Sequence, residues 1–130
     1  PARADSGIRA LRELGVAIAV DDYGTGHASL SYLKSLTVDE LKVDKSFVSD
    51  MGLDTNDFII VRSTITLALD LGLRVIAEGI EDEETALALR AMGCAIGQGY
   101  HLGRPTTPEQ ILLRLRDERR LVALSQTARL

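Results

Sequence analysis

The sequence has a single cysteine, no tryptophan and few aromatic residues, which make up 4% of its 130 residues. The lone Cys94 excludes an internal disulfide framework and a cysteine-built metal site, and it favours a reducing, cytoplasmic compartment. The shortage of aromatic side chains argues against a platform on which nucleic-acid bases stack. No apolar run approaches the ~18 residues of a membrane span, and the first residues show no apolar core of a signal peptide. We therefore expect this segment to make no membrane contact.

Basic residues are outnumbered by acidic ones, 15 Lys and Arg against 19 Asp and Glu, which gives a net charge of −4 at pH 7. This balance argues against a protein that binds a nucleic-acid polymer or an anionic membrane. The hydrophobic fraction of 45% and the charged fraction of 26% are close to globular averages. We expect residues 1–130 to belong to one domain with its own hydrophobic core.

Three segments repeat one pattern, in which the last turn of a helix is followed by a glycine and then by an apolar run. Glycine is favoured there because the left-handed position after a helix costs it no Cβ clash. The runs are continuous rather than alternating, which predicts strands buried on both faces. They comprise residues 16–20, 73–77 and 94–96, after Gly15, Gly72 and Gly93.

Apolar residues at helical spacing predict helices between these strands. The predicted helices lie around residues 8–14 (capped at Asp5 or Ser6), 30–36 and 58–71, and begin again at Glu83 and at Pro108. A fourth strand is predicted at residues 40–44. Alternating helices and strands of this kind form a parallel sheet with right-handed crossovers, so we expect an α/β fold.

Polar residues follow each predicted strand. Because ligands of parallel α/β folds bind at the carboxyl ends of the strands, we expect these side chains to share one site. They are Asp21 and Asp22, Lys42 and Asp44, Glu78, and Gln98.

The residue types at these strand ends suit one reaction class. Adjacent carboxylates repel unless a cation balances them, and a hard ion such as Mg²⁺ or Mn²⁺ binds oxygen ligands. Lys42 is suited to stabilise a developing negative charge or to hold a nucleophilic water. Gln98 is suited to orient a substrate or a water, since an amide both donates and accepts. The set favours metal-assisted hydrolysis of a phosphoryl ester.

Other interpretations of the same residues exist. An Asp-Asp pair after a strand is also common as a cap or a turn, and the Gly24-Thr25-Gly26 segment is typical of a tight turn. Two folds suit the pattern, half of a (β/α)₈ barrel, which takes roughly 250 residues when complete, and a receiver-like doubly wound domain. The receiver needs a lysine on its last strand and leaves Glu78 without a role, so the barrel is favoured.

Four of these segments resemble the EAL-domain family, in order and over nearly the whole chain. They are DDYGTG at residues 21–26, ELKVD at 40–44, AEGIE at 77–81 and GCAIGQGY at 93–100. The resemblance implies a TIM-type (β/α)₈ barrel. It also implies an Mg²⁺- or Mn²⁺-dependent phosphodiesterase that hydrolyses cyclic di-GMP to linear pGpG in bacterial signalling.

The resemblance assigns roles to single residues. Asp21 and Asp22 resemble metal ligands, and Glu78 resembles a ligand or a water-activating residue at a second metal. Lys42 is similar to the lysine that contacts the nucleophilic water. Gln98 matches the glutamine on the final strand of the site.

Asp44 and Glu81 match acids on the substrate side of the site or behind its ligands. The Glu-Ala-Leu motif is absent, and so are the asparagine and the further glutamate of the preceding strands. The chain therefore resembles the carboxyl-terminal half, roughly the last four β/α units, without the amino-terminal half of the barrel.

This incompleteness leads to three expectations. The chain alone has weak or no phosphodiesterase activity, because half of the ligands are missing. It pairs with itself or with the missing half-barrel, which covers its unpaired strand edges and inner face. The alternatives are a non-catalytic module that binds cyclic di-GMP or a protein, and a receiver-like regulatory domain.

Overall fold

The computed structural model describes residues 2–23 and 38–127. The helix predicted around residues 30–36 and the turn predicted at Gly24-Thr25-Gly26 lie outside these ranges. Among the described residues, no helix has the length and hydropathy that crossing a membrane requires.

Four parallel strands alternate with helices, as the sequence predicted. The elements are α1 (Ala2–Glu13), β1 (Ala19–Tyr23), β2 (Glu40–Val43), α2 (Lys45–Val48), α3 (Thr55–Asp70), β3 (Arg74–Glu78), α4 (Glu83–Ala91), β4 (Ile96–Gln98) and α5 (Pro108–Thr127). The strands neighbour one another in chain order, β1-β2-β3-β4, and every pair is parallel. A doubly wound sheet reverses its strand order at a switch point, so this sequential order is that of a barrel segment and excludes the receiver-like fold.

The hydrophobic core lies on one face of the sheet, under the helices. Leu41 and Val43 of β2 and Val75 and Ala77 of β3 are buried, and they belong to one cluster with residues of α3 such as Ile65. Burial alternates along both central strands. The prediction of burial on both faces was wrong, because the helices cover a single face and the opposite face of the sheet stays accessible.

The outer strands begin later than predicted. The carbonyl of Ile18 accepts hydrogen bonds from the amides of Asp39 and Glu40, and the amide of Ile18 donates to the Asp39 carboxylate over 2.8 Å. The ladder therefore starts at Ala19, and the preceding residues connect α1 to the sheet. In β4 the first paired residue is likewise Ile96.

Two helices also begin earlier than predicted. Helix α1 runs from Ala2, so the caps predicted at Asp5 or Ser6 were wrong. Helix α3 starts at Thr55 because the Asp54 carboxylate accepts the amide of Asn56 over 2.6 Å and satisfies a donor that the helix cannot.

The helix ends match the sequence pattern closely. Helices α4 and α5 begin at the predicted residues, and the Asp82 carboxylate caps α4 through the amide of Thr85 over 2.7 Å. Gly15, Gly72 and Gly93 have φ angles of +81°, +74° and +92°. These are the left-handed conformations for which glycine was predicted.

Candidate active site

A charged cluster joins three neighbouring strands at the carboxyl-terminal rim of the sheet. The Nζ atom of Lys42 on β2 lies 3.0 Å from Oδ2 of Asp21 on β1 and 2.5 Å from Oε1 of Glu78 on β3. The side chains of Lys42 and Glu78 are 23% and 20% exposed, whereas that of Asp21 is 58% exposed. One ammonium group thus bridges two carboxylates that lie on opposite sides of it.

This bridge favours the charged form of the lysine. The hydrogen bond to Glu78 and then that to Asp21 raise the pKa of Lys42 above 10.5, against a smaller opposing effect of burial. Lys42 therefore carries its positive charge throughout the neutral range. It sits in the centre of a site whose other members are acidic.

The sequence pattern placed Asp21 and Asp22 after the end of the first strand. In the structure both lie within β1. Val20 pairs with Leu41, but the next pair is Tyr23 with Val43, so β1 has one residue more than β2 between these pairs. Asp22 has a φ of 54°, and its amide donates to Oδ1 of Asp21 over 3.0 Å. Short polar side chains tolerate this left-handed conformation, and the resulting bulge presents both carboxylates at the rim.

Asp44 caps the short helix α2. Its carboxylate accepts hydrogen bonds from the hydroxyl and the amide of Ser46, over 2.5 Å and 2.8 Å. These two bonds, and then a contact with the Asp22 carboxyl, hold the pKa of Asp44 below its ordinary value. Asp44 thus links the start of α2 to the bulge of β1. Sequence reasoning assigned Ser46 no role, although the Asp-x-Ser spacing after a strand is typical of such a cap.

The Ser46 hydroxyl gives a test of this linkage. Because the folded-state pKa of Asp44 is depressed, its contribution to stability is full above about pH 3.8 and is lost as the pH falls through the folded-state value. We expect Ser46→Ala to move the titration of the Asp44 carboxyl to higher pH, measured by NMR, and to reduce the loss of stability in acid. Ser49→Ala serves as the control, since the Ser49 hydroxyl does not bind Asp44. An Asp44 titration that Ser46→Ala leaves unchanged contradicts the assignment.

The remaining predicted residues lie at the same end of the sheet. Gln98 on β4 is paired in register with Glu78 on β3, its side chain is exposed, and its carbonyl accepts the amide of Ile80 over 3.1 Å. Glu81 follows β3 and is exposed. Among the described residues it makes no hydrogen bond or ion pair with the cluster. The structure therefore joins Asp21, Lys42 and Glu78 directly, places Gln98 beside them and leaves Glu81 apart.

Comparison with known proteins identifies the family. The model of the EAL domain matches residues 1–105 of this chain. The chain belongs to the EAL-domain family. Together with the strand order and with solved EAL relatives, this confirms that the chain is a carboxyl-terminal part of a TIM-type EAL barrel.

Similar EAL proteins are known from sequence. The bifunctional diguanylate cyclase/cyclic di-GMP phosphodiesterase MucR of Pseudomonas aeruginosa is 43% identical over 102 residues, which are 78% of this chain and 15% of MucR. The cyclic di-GMP phosphodiesterase NbdA of the same organism is 45% identical over 95 residues, 73% of this chain and 12% of NbdA. This chain thus spans less than a sixth of either relative.

Solved EAL structures superpose closely on the chain. The EAL domain of Mycobacterium smegmatis DcpA has a TM-score of 0.81 at 42% identity and covers 88% of this chain and 51% of its own. The PaMucR phosphodiesterase in complex with c-di-GMP has a TM-score of 0.79 at 39% identity, over 84% of this chain and 44% of its own. A manganese/cy-diGMP complex of Klebsiella pneumoniae BlrP1 has a TM-score of 0.67 at 36% identity, over 73% and 24%.

The carboxylates of this EAL segment are the type of ligand that a hard cation binds, but too few of the described ones are grouped together. Carboxylate oxygens are the ligands that Mg²⁺ and Mn²⁺ prefer, and Asp21, Asp22 and Glu78 supply them. Within the described ranges, however, no group of three or more His, Cys, Asp or Glu side chains is arranged to hold a metal ion. The ammonium of Lys42 separates Asp21 from Glu78.

Proposed function

We propose that this chain forms the carboxyl-terminal part of the active site of a phosphodiesterase that hydrolyses cyclic di-GMP to linear pGpG. The observation that carries the proposal is the bridge of Lys42 to Asp21 and Glu78 across three neighbouring strands. Such a rim is where barrel enzymes hold their catalytic groups. The activities named for MucR and NbdA, and the cyclic di-GMP bound to PaMucR, support this substrate.

We propose Asp21 and Asp22 as this chain's ligands of a divalent cation, Mg²⁺ or Mn²⁺, and Glu78 as its ligand or water-activating residue at a second such ion. Such an ion supplies Lewis-acid chemistry and an activated water when bound. Glu78 would hold or activate a water at such an ion, and its carboxylate lies 2.5 Å from the Lys42 ammonium. The bulge of β1 suits metal binding because it brings the consecutive carboxylates of Asp21 and Asp22 to one edge of the sheet.

Four further side chains complete the proposal. Lys42 holds the attacking water and stabilises the negative charge that develops on the phosphoryl oxygens. Gln98 and Asp44 contact the substrate, and Glu81 lies behind them. Lys42 performs its task as a fixed cation, because its two carboxylate partners determine where the ammonium lies.

The segment described here supplies only one side of such a site. The face of the sheet opposite the helices is uncovered, and every residue of β4 is exposed. We propose that the missing half-barrel, or a second copy of the chain, covers this face and these edges. We place the protein in the cytoplasm, where its one buried cysteine stays reduced.

One experiment tests both activity and assembly. Calorimetry and turnover of cyclic di-GMP with Mg²⁺ and with Mn²⁺ are measured on this chain and on the chain joined to an amino-terminal half-barrel of the family. We expect turnover only in the joined protein, and light scattering to show that the chain alone is not a monomer. Robust turnover by the chain alone contradicts the role given to the missing half.

A non-catalytic cyclic di-GMP-binding module is the second candidate. It is favoured by the lack of a three-donor metal group among the described residues. It predicts that the joined protein binds cyclic di-GMP without hydrolysing it, and that binding needs no divalent cation. The same calorimetry, repeated in the presence of a chelator, separates the two functions.

A further inference from the structure

Leu53 is the most exposed large hydrophobic residue of the described chain, with 94% of its surface accessible. It lies in the turn between α2 and α3, and so follows a central strand of the sheet. Other exposed apolar side chains are spread over the helices, for example Leu11 of α1, Ile59 of α3 and Leu112 of α5. Leu53 differs from the other exposed apolar side chains in degree, since the next most exposed of them, Leu14, is 80% accessible.

Beside Leu53 lies a groove between the α2–α3 turn and the start of α4. Its volume is about 430 Å³, and its lining includes Met51, Leu53, Phe58, Asp82 and Glu84. Met51 is buried, and Phe58 packs against the core, so the floor is apolar and well supported. We call this surface the Leu53 groove. Its size suits one or two aliphatic side chains.

The rim of the Leu53 groove is acidic. None of the residues that line it, all of which the structure describes, is basic. Asp50, Asp54 and Asp57 stand next to it, and desolvation together with the negative charges of Asp54 and Asp50 raises the pKa of Asp57. Some of these acids cap helices, as Asp54 caps α3. Together their negative charges nevertheless surround an apolar floor.

Arg62 of the same chain contacts Phe58, one of the residues that line the groove. The guanidinium carbon of Arg62 lies 5.8 Å from the centroid of the Phe58 ring, within the range of a cation–π contact. Arg62 is one turn further along α3 and does not line the groove. The attraction for an incoming cation therefore comes from the acidic rim, since Phe58 already has Arg62 beside its ring.

We propose that the Leu53 groove is a docking site for a basic, amphipathic segment of a partner protein. An aliphatic side chain of that segment enters the groove beside Leu53 and Phe58, and its lysine or arginine residues face Asp57 and Glu84. Apolar contact provides the affinity and the rim charges orient the segment. The groove is lined by segments that follow the carboxyl ends of β2 and β3, the end of the sheet at which the charged cluster lies, so an occupant does not enter the proposed active site.

The proposal is tested on the full chain with a synthetic amphipathic leucine–lysine peptide and its leucine–glutamate counterpart. We expect saturable one-to-one binding of the lysine peptide only, measured by calorimetry. Leu53→Ser weakens it roughly tenfold, as expected for the loss of one buried aliphatic contact, whereas Leu87→Ser, an equally drastic change at an exposed site on α4 outside the groove, does not. Asp57→Asn weakens binding and Asp70→Asn, at the other end of α3, does not.

Two outcomes overturn the proposal. Binding that responds equally to Leu53→Ser and to Leu87→Ser shows that the lysine peptide is attracted by the overall negative charge and not by the groove. Self-association that Leu53→Ser abolishes in the absence of peptide shows that a second copy of the chain occupies the groove. Circular dichroism of each variant confirms that the fold is retained, as expected for substitutions of exposed residues.

Discussion

Lys42→Met lowers cyclic di-GMP turnover by roughly 10²–10³-fold in a protein that joins this chain to an amino-terminal half-barrel. The Lys42 ammonium lies between Asp21 and Glu78, at 3.0 Å and 2.5 Å from their oxygens. Methionine keeps the length of the side chain but removes the charge. Two carboxylates then face each other without the ammonium, and the contribution of Lys42 to stabilising the charge of the transition state is lost.

The control for this variant is Arg74→Met. Arg74 is also ion-paired, with its Nη2 atom 2.5 Å from Oε1 of Glu40. This pair lies at the amino-terminal ends of β2 and β3, at the opposite end of the sheet from Lys42. The side chain of Arg74 is 59% exposed, so the pair adds little to stability. We expect turnover within about twofold of the parent protein in this variant. Equal losses in both variants contradict a specific role for Lys42 and indicate a general dependence on charge.

The pH dependence follows from the same geometry. The pKa of Lys42 is raised above 10.5, so its pairing stabilises the fold below that pH and is lost as the pH rises through the folded-state value. Lys42 consequently acts as a permanent cation near neutrality. It does not serve as the group whose titration sets a pH optimum there.

Leu41→Ala is expected to destabilise the chain by about 2–5 kcal/mol. Leu41 is fully buried in β2, next to Lys42 in sequence, and belongs to the main hydrophobic cluster. The substitution removes buried methyl groups and leaves a cavity that the surrounding β2, β3 and α3 cannot close without moving. Domains are stable by only about 5–15 kcal/mol, so much of the sample unfolds at modest temperature.

The measurement is urea unfolding followed by circular dichroism, with Leu53→Ala as the matched control. Both variants replace leucine by alanine, but Leu53 is 94% exposed. We expect the control to change the free energy of unfolding by no more than about 0.5 kcal/mol. Similar effects at the two positions contradict the assignment of Leu41 to the core.

The sequence determined the elements whose signals are local. Gly72 and Gly93 end their helices as predicted because a left-handed residue after a helix is a property of a few neighbouring residues. The starts at Glu83 and Pro108 depend likewise on the residues around them. Because the order of these elements is local information too, the parallel α/β architecture was predictable.

Tertiary structure decided which residues meet. Whether a strand is buried on one face or two depends on what lies across the sheet, so the pattern of β2 and β3 could not be read from their apolar runs alone. The bulge that turns Asp21 and Asp22 to the rim arises from the pairing of β1 with β2. Lys42 pairs with Asp21 and Glu78 because β1 and β3 lie on either side of β2 in the sheet. These strands are far apart along the chain, so the sequence alone does not show that they are neighbours.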